Sequence, residues 1–302
     1  MGGIHPLTRV ALLDVDIAVY QVASSCEKES NLAVVEETMD LYLRNWLSVT
    51  NSDMYLGFIT DSKSNFRLQV AVTWPYKGQR RVEKPKWYQA LRDYVVNIWR
   101  CQNVVGIEAD DALTISAEVL KAMGFEVVIV TEDKDLLQYS CLHYNPNKSD
   151  VVFEVTPEQA HFNLWSQVIT GDRVDNIPGV SHAITETRTG SFNKSIVELE
   201  TISPKEKLSL YKRYPREEQY GASGAQQYLY GFYPDDYPAA VLELYIDKYE
   251  DVEDEGSFGY GELRFYETFN LIFMLLVPPD GVVVDSDPKI PPEPKGVVFM
   301  DF

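Results

Sequence analysis

The sequence predicts an α/β fold, with a central, mostly parallel sheet flanked by helices and a smaller helical region after it. Three observations carry that expectation. Short apolar runs rich in Val, Ile and Leu recur in the first half of the chain, at 9–16, 53–61 and 125–131. Amphipathic helical stretches alternate with them, the pattern of parallel strands joined by crossover helices. Each run ends in carboxylates, and the carboxyl ends of parallel strands lie along one edge of a sheet, where such folds place their ligands.

Taken in order, "RVALLDVD" (9–16) reads as a buried strand and "AVVEETMDLYLRNWL" (33–47) as an amphipathic helix. "DMYLGFITD" (53–61) is the second strand. Trp87, Tyr88, Leu91, Val95 and Trp99 recur at helical spacing and predict a helix around 86–100. "EADDALTISAEVLKAMG" (108–124) is a helix with Ala109, Ala112, Leu113, Ser116, Leu120 and Met123 on one stripe and Gly124 as its stop. "FEVVIVTEDKD" is the third strand, "LHYN" and "VVFEV" are short strands, and "TPEQ" (156–159) opens a helix with Thr as N-cap and Pro at the first position. After about residue 185 the periodicity weakens. "KYEDVEDEGSFGYGE" (248–262) reads as an acidic connector, and the Pro-rich tail from residue 278 as an extended surface segment. The expected organisation is a core over 1–165, a helical region over 166–247 and a C-terminal extension over 248–302.

Composition narrows the class. The chain has 302 residues, 45% hydrophobic and 12% aromatic, enough to bury a full core and too apolar for disorder. Cys26, Cys101 and Cys141 are odd in number and lack metal-ligand spacing, which suits reduced core thiols. "MGGIHPLTRV" has no secretory pattern, Pro6 stands where a myristoylation signal wants Ser or Thr, and "LIFMLLV" (271–277) is too short to span a bilayer. A cytoplasmic protein without membrane attachment is expected. The net charge of −19 argues against a polyanionic partner, but its distribution argues the other way. Residues 63–100 hold nine Lys or Arg against two acids, a local +7, so the remainder carries −26. Phe66, Trp74, Tyr76, Trp87 and Tyr88 are interleaved with those cations, and cations beside flat rings suit a nucleic-acid strand. Trp87 and Tyr88, spaced with Leu91, Val95 and Trp99, read as the buried face of the helix, whereas "YKGQRRVEK" (76–84) has no clean apolar face.

The acids form a set: Asp14 and Asp16, Asp61, Asp133 and Asp135 at strand ends, Glu108, Asp110 and Asp111 at a helix start, and Asp172 and Asp175 in "TGDRVDNIPGV". A solvated turn would explain Glu132, Asp133 and Asp135 alone, and complementing a helix dipole would explain one or two acids near 110. So many carboxylates in one crevice require divalent cations, and oxygen-only ligands select Mg²⁺ or Mn²⁺. Two ions about 3.5–4 Å apart stabilise attacking and leaving oxygens in phosphoryl transfer.

"LLDVDIAVY", "TDSKSNFR", "YKGQR", "EADD", "TEDKDLLQ" and "GDRVDNIPGV" occur in the order and approximate spacing of the 5′-nuclease (flap endonuclease) superfamily. Over roughly residues 9–180 the chain resembles that superfamily, which includes the 5′–3′ exonuclease domain of bacterial DNA polymerase I and free-standing phage exonucleases, and it is most similar to the short phage enzymes. The resemblance implies a PIN-like core with a helical arch over 63–100. It assigns Asp14, Asp61, Glu108, Asp110 and Asp111 to a first metal site and Asp133, Asp135, Asp172 and Asp175 to a second, for two Mg²⁺ or Mn²⁺ ions, with Asp16 outside the ligand set. Tyr76, Lys77 and Arg80 match the family's step at the arch base, with expected roles in base stacking, electrophilic help and phosphate clamping. Arg67, Arg81 and Lys84 would contact nucleic acid. The implied activity is 5′–3′ exonuclease or flap endonuclease cleavage of DNA with a free 5′ end or 5′ flap, with RNA–DNA hybrids as another substrate. The setting would be phage replication or recombination, in the host cytoplasm. One departure is plain: "SHAITETRTG" follows "DNIPGV" where the family has a Gly-rich, phosphate-binding hairpin. Two rivals stay open. "LLDVDIAV" also resembles the nucleophile loop of haloacid-dehalogenase-type phosphatases, with Asp14 as nucleophile, although Ala18 is wrong for that motif. A non-catalytic nucleic-acid-binding protein of the same fold is the other.

Overall fold

The structure, a computed structural model, describes residues 8–78, 83–148, 150–180, 221–249 and 259–294. The chain divides into two compact units, each discontinuous in sequence: Met1–Asn65 with Glu83–Val155 and Met274–Phe302, and Phe66–Val82 with Thr156–Phe273.

The first unit is built on a six-stranded sheet. Its strands are β1 (Arg9–Asp14), β2 (Met54–Asn65), β3 (Gln102–Gly106), β4 (Glu126–Val130), β5 (Leu142–Tyr144) and β6 (Val152–Glu154), in the order β3-β2-β1-β4-β5-β6. Every pairing is parallel except β5 with β6. The expected α/β class is therefore observed. β1 lies at the centre, and Val10–Leu13 are fully buried, as an uninterrupted apolar run covered on both faces requires. Four helices accompany the sheet: α1 (Val15–Ser25), α2 (Leu32–Thr50), α3 (Tyr88–Asn97) and α4 (Ala109–Ala122). Asn31 caps α2 by accepting the Ala33 N–H at 3.0 Å, and Glu108 and Asp111 form a reciprocal capping box on α4.

Two boundaries differ from expectation. The first strand stops at Asp14, and Asp16 sits in the first turn of α1. Val15, Ala18, Val19, Val22 and Ala23 are the buried stripe of that helix, a spacing of three and four that overrides the strand-like "DVD". β2 runs on to Asn65, past Asp61, with an irregularity in its pairing to β3 between Thr60 and Asn65. The described part of the Pro-rich segment, 278–294, is without helix, as its composition predicts. Lys289 and Tyr55 exchange backbone hydrogen bonds at 2.9 Å, Thr114 donates to the Leu275 carbonyl at 2.6 Å, and Ser116 donates to that of Asp285 at 2.9 Å.

The second unit is helical: among the described residues it holds α5 (Pro157–Thr170), α6 (Ala222–Leu229), α7 (Tyr237–Lys248) and α8 (Tyr260–Ile272), with a single helical turn over Arg67–Val70. Thr156 caps α5 in a capping box with Gln159, as the sequence predicts. Trp165 stacks on Phe265 and Phe269 of α8, and Tyr76, Val168, Ile169, Ile177 and Tyr245 share that core. A tight turn follows α5. Gly171 and Gly179 both have left-handed φ (+66° and +65°), and a Cβ on Gly171 would lie 2.2 Å from the Ile177 carbonyl oxygen, so only glycine fits. Asp172 and Ile177 exchange backbone hydrogen bonds across the turn, which carries Asp172 and Asp175. Among the described residues, no helix is long and apolar enough to cross a membrane.

Candidate functional site

In the first unit the parallel register brings the ends of β1 and β4 together. Asp14 is buried, and its Oδ2 accepts the Thr131 hydroxyl at 2.8 Å. The same hydroxyl oxygen accepts the Asp133 N–H at 3.0 Å. Asp133 in turn caps the 3₁₀ turn Lys134–Gln138 by accepting the Asp135 N–H at 2.9 Å. Burial, then the charges of Asp16 and Asp133, push the Asp14 carboxyl well above the usual carboxylate range, against the opposing Thr131 hydrogen bond. Glu132 points away from this cluster, bonded to Gln21, which also accepts from Tyr42.

The start of α4 meets β2 near its irregularity, where the Ala109 N–H donates to Thr60 Oγ1 at 2.9 Å, beside Asp61. Glu108 and Asp110 belong to this turn. Asp111 differs from the expected ligand. It is fully buried, with one oxygen accepting the Glu108 N–H and the other the Leu275 N–H, each at 3.1 Å. Those bonds hold the helix start and the C-terminal segment, so Asp111 positions the turn. Sequence reasoning left Asp16 outside the ligand set and missed its partner. Arg92 NH1 lies 2.9 Å from Asp16 Oδ1, the Thr60 N–H donates to Asp16 Oδ2 at 2.7 Å, and Arg92 NH2 donates to the Thr60 carbonyl at 2.8 Å. The lone extra acid in "DVD" was the available signal for a half-buried cation nearby.

Among the described residues, no group of three or more Asp, Glu, His or Cys side chains is arranged to hold a metal ion directly. The donor chemistry nevertheless fits a hard cation. Asp14, Asp133 and their neighbours offer only oxygen, and Mg²⁺ is commonly held by one or two carboxylates while keeping several waters. The proximity of Asp14, Asp16 and Asp133, which raises the Asp14 pKa, is a repulsion that a bound cation relieves.

In the second unit two distant motifs meet. The Tyr76 hydroxyl donates to Asp175 Oδ2 at 2.9 Å, and Lys77 Nζ lies 3.5 Å from the same oxygen. Asp172 is buried and shapes its turn, with Oδ1 accepting the N–H groups of Val174 at 2.6 Å and Asp175 at 3.1 Å. Two expectations are corrected. Tyr76 is only 6% exposed and packed in the core, so its ring offers no face for stacking a base. Arg67, expected to contact nucleic acid, is 1% exposed, and its guanidinium donates to the carbonyls of Leu271 and Phe273 at 2.9 Å, satisfying the C-terminal end of α8. Arg67→Met should therefore lower stability by about 2–4 kcal/mol through stranded buried carbonyls. A denaturant titration reads that loss, and nucleic-acid affinity of the folded variant should stay unchanged. Lys84 is exposed, its ammonium 4.2 Å from the Tyr88 ring centroid. Arg80, Arg81 and the "SHAITETRTG" departure lie outside the described residues.

No family model matches the chain. A 5′–3′ exonuclease of Buchnera aphidicola is 31% identical over 142 residues, covering 43% of this chain and 49% of its own length. One from Aquifex aeolicus is 34% identical over 100 residues, 30% of this chain and 34% of its own. DNA polymerase I of Rhizobium leguminosarum is 37% identical over 91 residues, 26% of this chain and 9% of its own. The chain thus spans about half the length of the first of these relatives and less of the others. A solved structure of bacteriophage T5 5′-exonuclease with zinc aligns over 87% of this chain and 99% of its own, at 13% identity and a TM-score of 0.46. In the six ordered motifs and over these aligned segments, the chain is similar to the 5′–3′ exonucleases and polymerase I enzymes.

Proposed function

We propose that the chain is a divalent-metal-dependent nuclease that hydrolyses phosphodiester bonds of DNA near a free 5′ end or at a 5′ flap. The observation that carries the reading is the buried Asp14, held by Thr131 and crowded by Asp16 and Asp133, at the carboxyl edge of a parallel sheet. Asp14, Asp61, Glu108, Asp110, Asp133 and Asp135 are the carboxylates that would hold Mg²⁺ or Mn²⁺. The resemblance assigns Asp172 and Asp175 to the same chemistry and a total of two ions. When bound, such ions supply charge neutralisation at the scissile phosphate and a nucleophilic water at neutral pH.

The chain's own residues do the positioning. Thr131 fixes the Asp14 carboxylate, and Asp133 sets the turn that carries Asp135. Asp111 anchors the helix start that carries Glu108 and Asp110. Arg92 neutralises Asp16, which lowers the charge that a phosphate must approach. Lys77 supplies a cation for the phosphate oxygens, with Arg80, Arg81 and Lys84 assisting in strand binding. RNA–DNA hybrids are a second substrate class on this reading, and phage replication or recombination its setting.

The test is incubation of a 5′-labelled DNA flap, and of the matching RNA–DNA hybrid, with Mg²⁺, with Mn²⁺ and with EDTA, beside p-nitrophenyl phosphate. Expected is release of short 5′ products only with metal, and no p-nitrophenol. Turnover of the small ester without nucleic-acid cleavage would instead support the phosphatase with Asp14 as nucleophile. Tight flap binding without any cleavage would support a binding protein.

A further inference from the structure

We infer that Tyr76 is a positioning residue whose hydroxyl, not its ring face, serves the reaction, by fixing the Asp175 carboxylate and through it the ammonium of Lys77. The role given to Lys77 rests on the nuclease reading above. The geometry of the clasp lies wholly within the second unit.

One carboxylate oxygen, Asp175 Oδ2, receives both the Tyr76 hydroxyl at 2.9 Å and the Lys77 ammonium at 3.5 Å. The ammonium also lies 4.9 Å from the Tyr76 ring centroid. Lys77 is thus held between the Tyr76 ring and the Asp175 carboxylate, to which the same tyrosine's hydroxyl donates. The backbones are clasped as well. The Lys77 N–H donates to the Asp175 carbonyl at 2.9 Å, and Asn176 Nδ2 donates to the Pro75 carbonyl at 2.9 Å. Lys77 and Asn176 both have left-handed φ, +53° and +65°. For a non-glycine residue that conformation costs about 1–2 kcal/mol and persists only where the surroundings hold it, often at functional sites.

The segment that leads into the clasp is tied to α8. The Thr73 N–H donates to Glu267 Oε1 at 2.8 Å, Arg264 NH1 donates to Thr73 Oγ1 at 2.7 Å, and both acceptors are tied to α8 or to the segment it braces. A lysine has four rotatable bonds, and ordering its ammonium in advance removes an entropy cost from the reacting state. The tyrosine hydroxyl is the neutral donor that holds the anchoring oxygen toward the ammonium.

The experiment is Tyr76→Phe in the full chain, which keeps the ring and its packing and deletes only the hydroxyl. Single-turnover cleavage of a 5′-labelled flap in Mg²⁺ should fall about tenfold or more. Flap affinity in Ca²⁺ should stay within about twofold, and the unfolding midpoint should move by a few degrees at most. Wild-type cleavage by Tyr76→Phe overturns the inference, and so does a parallel loss of affinity and fold stability, which marks a merely structural hydroxyl. A second measurement needs no activity. The Lys77 side-chain Cε and Nζ resonances of the metal-free protein, assigned with Lys77→Arg, should shift in both Tyr76→Phe and Asp175→Asn. Unmoved resonances in both variants overturn the clasp. If the wild-type protein cleaves no flap, the nuclease reading fails, and these resonances still decide whether Tyr76 positions Lys77.

Discussion

Asp14→Asn should reduce metal-dependent cleavage by at least about 1000-fold while making the metal-free protein more stable at neutral pH. The first effect follows from removing a charged oxygen donor at the centre of the carboxylate edge. The second follows from the pKa of Asp14, which burial and the charges of Asp16 and Asp133 raise in the folded state. A carboxyl with a raised folded-state pKa contributes stability below its unfolded pKa, and that contribution is lost as pH rises through the folded value. Metal-free wild-type protein should therefore lose stability on going from about pH 4 to neutrality, on the order of 1–3 kcal/mol. Asn keeps the shape and an oxygen to accept the Thr131 hydroxyl, so the variant's unfolding midpoint should be flatter across the same range. Thermal melts in EDTA at a series of pH values read the slope, and adding Mg²⁺ should raise the wild-type midpoint more than that of Asp14→Asn. A variant that cleaves like the wild type removes Asp14 from the chemistry. Parallel pH slopes for the two proteins would remove the crowding argument.

Much of the first unit was legible because its signals are local. An apolar run such as Val10–Leu13, alternating with amphipathic helical stretches, reads as a strand buried on both faces of a parallel sheet. The capped start of α5 at Thr156 and Pro157 is equally local. What was not legible depends on long-range placement. Asp16 looked like the last residue of a strand, and only the stripe Val15, Ala18, Val19 reveals the helix. Arg67 and Tyr76 lie in a cationic, aromatic stretch whose average reads as a nucleic-acid surface, yet α8 and α5 bury both. Their partners are about 100 to 200 residues away, Asp175 for Tyr76 and the Leu271 and Phe273 carbonyls for Arg67, and no periodicity encodes such pairings. The same holds for Asp111. The "EADD" motif identifies the helix start, but the Leu275 N–H that occupies one of its oxygens comes from the apolar run 271–277, which nothing in the sequence links to that start. Motifs name candidate residues, whereas the side chains each one touches depend on contacts that lie far apart in sequence.

Lys77→Ala should slow single-turnover cleavage by roughly 100-fold or more and change substrate affinity much less. The distinction follows from where the ammonium sits. At 3.5 Å from Asp175 Oδ2 its charge is already compensated in the ground state, so it adds little net attraction for a distant phosphate. Charge that develops on the phosphate during cleavage competes better for it, which is the condition for an effect on rate over binding. The backbone makes Ala the informative replacement. Lys77 has φ +53°, and Ala bears the same left-handed strain, so the variant differs only in the side chain. Lys77→Gly removes the ammonium and relieves the strain, so it should match Ala in rate while exceeding it in stability by up to about 1 kcal/mol. Measuring both variants for rate at saturating flap, affinity in Ca²⁺ and unfolding midpoint separates the roles. If affinity collapses in both while the saturated rate holds, Lys77 is a phosphate tether. If Gly restores the rate that Ala loses, the backbone of the clasp matters and the ammonium does not.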